Sequence, residues 1–171
     1  LAVKTLLESL MEQEERVILG GNNSIALGTC GTVTATASNT GGHLADATYS
    51  VICCPLTFDG MQWSSVANGV KLPYTRVNAD GSTDTVQGFS GIKSSATGSL
   101  TVNGGTGLGS IAVSVAAIRG AFGYAWYLGT AGSETLAAIT GAPATTLKYS
   151  AADAGGTQSD DVLPSSDTSQ N

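Results

Sequence analysis

The chain has 171 residues, only 12% of them charged, and a formal net charge of −6, which suits one domain with appendages. Residues 22–150 balance five acids against five bases, so the body has no electrostatic reason to bind nucleic acid. No apolar run approaches the roughly 18 residues of a membrane-spanning helix, nothing at the start reads as a signal peptide, and the wealth of Gly, Ser, Thr and Ala argues against long charged helices.

Residues 3–19 carry Val3, Leu6, Leu7, Leu10 and Met11 at helical spacing, and Val17 and Ile18 resume the stripe after a polar turn. Glu12 and Arg16 are placed as an i,i+4 pair in the favourable orientation, and Gly20-Gly21 stops the helix. An isolated helix of this length is marginal in water. The stripe therefore calls for a partner surface, on the body or on another part of a larger assembly.

After Gly21 the composition changes to that of strands and turns. Residues 32–37 (TVTATA) alternate as a first strand, and 39–42 form a turn. Residues 48–58 (TYSVICCPLTF) read as a strong strand with Tyr49, Val51 and Cys53 on one face, and Pro55 puts its second half at an edge or bulge. Asp59-Gly60 is a hairpin signal, and Trp63 to Val66 begin the next strand. Residues 70–77 are strand broken by Pro73. Asp80-Gly81 and Asn103-Gly104 mark turns beside weak polar strands near 83–89 and 98–102.

Residues 111–139 are the most informative stretch. Ile111, Val113, Val115 and Ala117 alternate, Gly120-Ala121 breaks the run, Tyr124, Trp126 and Leu128 alternate again, and Leu136 to Ile139 follow a Gly-rich turn. This predicts a three-strand meander whose apolar face is covered by a second sheet. Residues 145–149 (TTLKY) make a last strand, and the polar, acidic residues 151–171 predict an extended, poorly packed exit segment. The expected fold is all-β, a sandwich of about seven to nine strands with an N-terminal helix. The organisation is a helical flank at 1–21, a sandwich at 22–150 and the exit segment at 151–171. The chain opens without methionine and stops in polar sequence, as a piece of a longer protein would.

No set of residues predicts catalysis, a metal or a cofactor. His43 is the single histidine and falls in a turn beside Gly41-Gly42, with no clustered ligands. No G-x-S-x-G nucleophile turn occurs. Residues 105–109 (GTGLG) could cradle a phosphate only ahead of a helix, and an alternating β-branched run follows instead. Residues 78–84 (NADGSTD) resemble part of a calcium loop but lack its terminal Glu, so an Asp-Gly turn is preferred. Cys30, Cys53 and Cys54 have no CxxC spacing. Cys53 and Cys54 must point to opposite faces of a strand. A Cys30–Cys53 or Cys30–Cys54 bridge is open if those segments are neighbours, while the burial habit of free cysteine favours reduced thiols. Among the aromatics, Tyr124 and Trp126 read as core. Trp63 and Tyr127 are the candidates for a surface contact, with glycans as the ligand class.

Two resemblances rest on these residues. Residues 43–51 (HLADATYSV), with Phe58-Asp59-Gly60 and Trp63-Ser64-Ser65, resemble one half of a fibronectin type III or immunoglobulin-like module. Ile111 to Val115 with Arg119 to Tyr127 (RGAFGYAWY) are similar to the other half, so the likeness spans residues 29–150. Separately, residues 6–22 (LLESLMEQEERVILGGN) resemble a stretch of tailed-bacteriophage major capsid proteins in which a Glu-rich helix leads to a Gly-Asn turn. Residues 163–171 look like the place where such a chain resumes. The resemblance implies an immunoglobulin-like domain inserted in a capsid subunit, a virion structural protein made in the bacterial cytoplasm, with no enzymatic activity and no cofactor. It implies copies of itself in an icosahedral shell as partners, with Leu6, Leu10 and Val17 as subunit contacts. The alternative is a glycan- or cell-surface-binding module of a phage tail fibre or bacterial surface protein.

Overall fold

The computed structural model describes residues 2–20, 25–103, 105 and 107–170. Gly21 of the helix stop, Gly104 of the Asn103-Gly104 turn, the Glu12–Arg16 pair and the side chains of Val17 and Ile18 lie outside what is described. The leading helix α1 runs Ala2–Gly20. Its described apolar residues, Val3, Leu6, Leu7, Leu10 and Met11, are between 56% and 80% exposed. Lys4 and Glu8 form an i,i+4 pair at 3.6 Å on the same helix.

Nine strands follow among the described residues: β1 (Thr34–Ser38), β2 (Ala47–Leu56), β3 (Tyr74–Val77), β4 (Thr83–Val86), β5 (Leu100–Val102), β6 (Ser110–Ser114), β7 (Gly123–Gly129), β8 (Thr135–Thr140) and β9 (Ala144–Leu147). A short helix α2 (Phe58–Gln62) interrupts them after β2. The strands form a four-stranded sheet in the order β5-β2-β7-β8, a three-stranded sheet β1-β6-β9 and a hairpin β3-β4. Every strand pairing is antiparallel, so the expected all-β class holds.

Alternation decides where the core sits. In β2 and β7 the residues Val51, Cys53, Tyr124, Trp126 and Leu128 point to one face and share a core with Ile111, Val113 and Leu147 of the other sheet. The residues between them, Ile52, Cys54, Leu56, Ala125 and Tyr127, point the opposite way and pack with Leu136, Val70 and Leu163. Both faces of the four-stranded sheet are thus covered, which is why its two central strands read as almost unbroken apolar runs. The three-stranded sheet is covered on one face only: Ile111 and Val113 are buried while Ala112 between them is exposed.

That contrast corrects the expected meander. β6 does not pair with β7; it lies between β1 and β9, and residues 115–122 carry the chain from one sheet to the other. The crossing is anchored where the Val115 amide donates to the Pro143 carbonyl (2.9 Å) and the Ile118 amide to the Tyr124 hydroxyl (2.9 Å). Gly120, at φ +87°, makes the turn. β7 and β8 do form the expected hairpin, with a bulge at Trp126/Tyr127.

Two further expectations change around residues 55–66. Asp59-Gly60 is no hairpin, because Thr57 accepts the Gly60 amide (2.9 Å) and caps α2 instead. Trp63 to Val66 are not strand; Ser65 and Gly69 exchange backbone bonds at 3.1 and 2.7 Å and close a tight turn. Pro55 does sit at an edge. Beyond β5, the outer side of β2 is lined by a loop whose side chains replace a neighbouring strand. The Val51 amide donates to Thr97 Oγ1 (2.9 Å) and the Cys53 amide to Ser94 Oγ (3.0 Å). Pro55 is next in that series, and it has no amide to satisfy.

Residues 151–170 are not a loose exit. The Leu136 amide donates to the Gln158 carbonyl (2.9 Å) and the Asp160 amide to the Glu134 carbonyl (3.1 Å), so the segment runs along β8. Leu163 fills the second core, and Lys93 pairs with the buried Asp160 carboxylate at 2.5 Å. Thr168 donates its amide to the Ser90 carbonyl (3.2 Å). Polar spacing hid this, because the segment docks mainly through hydrogen bonds and contributes few apolar residues. A second buried carboxylate, Glu134, accepts from the Ser50 hydroxyl and from the Gly132 amide (2.9 Å), fixing the β7–β8 turn.

Candidate functional site

A surface cleft lies where α2 meets the β3–β4 hairpin. Thr57 donates its hydroxyl to the Gly88 carbonyl (2.6 Å) while capping α2, so the helix and the 88–91 loop are tied together. A side chain at Gly60 would collide with the Phe89 carbonyl, its Cβ falling 1.8 Å away; glycine there allows the contact. Ser64 then donates to the Gly60 carbonyl (2.5 Å) and accepts the Lys71 amide (2.8 Å), which folds residues 64–71 back over the helix end. Pro73 leads directly into β3.

These constraints build a cleft of about 250 Å³ lined by Asp59, Trp63, Lys71, Tyr74, Gln87 and Phe89, with Val86 at its side. Trp63 is 62% exposed and Tyr74 46%. The Tyr74 ring stacks on buried Phe89 with centroids 6.4 Å apart and planes 15° apart. Lys71 Nζ lies 4.5 Å from the Tyr74 centroid, a cation–π contact that holds the ring. Solvent-facing aromatic rings ringed by a cation, a carboxylate and a carboxamide can stack on the apolar face of a small ring while bonding its hydroxyls.

Of the two aromatics singled out in the sequence, only Trp63 is there. Tyr127 is fully buried, and its hydroxyl donates to Gln158 Oε1 (2.8 Å). Burial pushes its phenol pKa well above the ordinary value. The alternation that assigned Tyr127 to the opposite face from Trp126 holds; that face is covered by residues 63–72 and the C-terminal segment. Tyr124 and Trp126 lie in the core, with the Trp126 indole donating to Thr140 Oγ1 (2.9 Å). Tyr74, Lys71 and Gln87 carry no sequence signal of their own, because loops bring them together.

The remaining motifs resolve simply. His43 is exposed and stacks on Tyr149 with centroids 5.0 Å apart. Residues 78–84 spend their oxygens on one another: Asp80 accepts from the Ser82 amide (2.9 Å) and hydroxyl (2.6 Å), and Asp84 from Asn78 (2.8 Å) and Arg76 (3.4 Å). The Gly105 amide donates to Asp46 (2.7 Å), and β6, not a helix, follows. Among the described residues no group of three or more His, Cys, Asp or Glu is placed to hold a metal. No helix of the described residues is long and apolar enough to cross a membrane.

The second feature is the stripe of α1, where Leu6 is 71% and Leu10 59% exposed. Between it and the body lies a clamp. The Leu27 amide donates to Ser169 Oγ (2.9 Å) and the Gly28 amide to Asp167 Oδ2 (2.6 Å), so the chain enters and leaves the body side by side. Compared with known proteins, the chain matches no family model, no curated protein and no solved structure.

Proposed function

We propose that this chain is a non-enzymatic structural component of a virion, a capsid subunit that displays an immunoglobulin-like β-sandwich on the outer face of the shell. The observation that carries the reading is the clamp of Leu27 and Gly28 on Ser169 and Asp167. A block whose entry and exit meet can be inserted in another polypeptide without disturbing either. The uncovered stripe of α1 then packs on neighbouring elements of the shell, repeated by its symmetry. The immunoglobulin-like reading is supported by two antiparallel sheets over one core and by Tyr49, whose hydroxyl donates to the Ala45 carbonyl (3.0 Å) four residues upstream, similar to a tyrosine corner.

Expression of the full parent chain tests this. Wild-type chains should assemble into particles holding hundreds of copies, and Leu10→Asp should yield unassembled subunits whose sandwich retains its circular dichroism. Normal particles from Leu10→Asp would remove the helix from the proposal.

A second reading is favoured by the aromatic cleft: a module that binds glycans on a cell surface. It predicts saturable binding on an array of hexose and N-acetylhexosamine oligomers, abolished by Trp63→Ala and untouched by Tyr127→Phe. Binding by isolated chains with no particle formation would select this reading over the first.

A further inference from the structure

We propose that the cleft between α2 and the β3–β4 hairpin prefers sugars that carry an acetamido group, and that Gln87 and Lys71 hold that group between them. This preference rests on the second reading above, in which the cleft is a glycan site.

The residues that line the cleft differ in what they already touch. Phe89 backs the Tyr74 ring, and Asp59 has a partner within the protein. Lys71 Nζ lies over the Tyr74 ring at 4.5 Å, and no carboxylate of the described residues comes within ion-pair distance of it. Among the described residues, none hydrogen-bonds the carboxamide of the half-buried Gln87. The cleft therefore holds one ammonium, which only donates, and one carboxamide oxygen, which accepts, each open to a ligand.

The backbone fixes where both stand. Tyr74 pairs with Val86 across the hairpin. Lys71 lies just before β3 and Gln87 just after β4, so the antiparallel register brings them to the same end of the hairpin, one beside each strand. Gly88 donates its amide to the Thr168 carbonyl (2.7 Å) and accepts the Thr57 hydroxyl on its own carbonyl (2.6 Å), which anchors the chain immediately after Gln87. Val70 exchanges bonds with the Gln158 carboxamide (2.8 and 3.0 Å), and the Lys71 amide donates to Ser64 Oγ (2.8 Å). Backbone tied down on both sides lowers the ordering cost of binding.

An acetamido group suits this pair because its amide is trans, with N–H and C=O pointing in opposite directions. The N–H donates to Gln87 Oε1 while the C=O accepts from Lys71 Nζ. A hydroxyl at the same ring position is shorter and reaches one of the two. The apolar face of the sugar ring lies on Trp63, which is 62% exposed, and the acetamido methyl meets Val86 at the side of the cleft.

The test titrates the whole chain with the trimer of N-acetylglucosamine and with the trimer of glucose in the same linkage, read by calorimetry and by amide chemical shifts. The acetamido trimer should bind about tenfold more tightly, with shifts at residues 59–63, 71–74 and 86–89. Gln87→Ala and Lys71→Met should each narrow that gap to about threefold, and Lys71→Arg should keep it. Trp63→Ala should abolish binding of both trimers. Circular dichroism matched to wild type separates a lost contact from a lost fold. Equal binding of the two trimers, or tighter binding of the glucose trimer, overturns the preference and leaves the glycan site standing. A gap unchanged in either Gln87→Ala or Lys71→Met also overturns it, because other groups then hold the acetamide. Binding of neither trimer overturns the preference together with the reading it rests on.

Discussion

α1 and β7 carry equally regular apolar patterns and meet opposite fates. In β7 every residue from Gly123 to Leu128 is buried, one set of side chains under the three-stranded sheet and the other under loops and the C-terminal segment. In α1 the described apolar residues stand in solvent. Period tells which residues share a face; it does not tell what lies across from that face. For β7 the cover is supplied by this chain, and for α1 the proposed cover is a neighbouring subunit.

The sharpest way to break that comparison is to cut one residue from each. Trp126→Ala empties the middle of the main core and removes the indole bond to Thr140, so it should cost about 3–5 kcal/mol in denaturant unfolding. Leu10→Asp should move the unfolding of the body by no more than about 0.5 kcal/mol while abolishing assembly. A large loss of body stability from Leu10→Asp would mean that the helix packs on its own sandwich after all.

The next effect concerns the second cover of β7. Lys93→Ala strands the Asp160 carboxylate, whose side chain is 6% exposed, and should cost about 2–3 kcal/mol. Amide exchange should speed up across residues 151–170 before it does in β2. Exchange unchanged in that segment would show that Leu163 and Gln158 hold it without the ion pair. Tyr127→Phe removes only the hydroxyl bond to Gln158 and should cost about 1 kcal/mol by the same unfolding assay.

The strands were legible where side chains alternate on a strong apolar background, as at 48–56, 110–114 and 123–129. Even the weak polar strands near 83 and 100 could be placed from turn residues alone. Sheet membership was not legible for β6 from its period, because Ala112 is apolar by sequence and only its exposure in the fold separates a strand with one covered face from a strand with two. The docking of residues 151–170 escaped because Gln158, Asp160, Asp167 and Ser169 act through hydrogen bonds that have no sequence period. The cleft was half legible: Trp63 stands out as an aromatic in a polar loop, but Tyr74 and Lys71 join it only through the fold of residues 64–73.

The β3–β4 hairpin offers the smallest and most local contrast, since its strands are almost wholly exposed while β2 and β7 are buried. Its turn is held by carboxylates: hydrogen bonds from Ser82 lower the Asp80 pKa, and those from Asn78 and Arg76 lower that of Asp84. A carboxyl whose pKa is lower in the folded hairpin than in the open one binds its proton more readily in the open form. The stabilisation is therefore complete above the ordinary carboxylate range and is lost as pH falls through the lowered folded values. Both groups are fully exposed, so the effect should be small and weakened by salt. Amides of residues 78–84, followed by nuclear magnetic resonance, should shift with acid while those of β7 stay fixed. Asp84→Asn should remove its share of the shift, and an unchanged titration in that variant would mean that Asp84 plays no part in holding the turn.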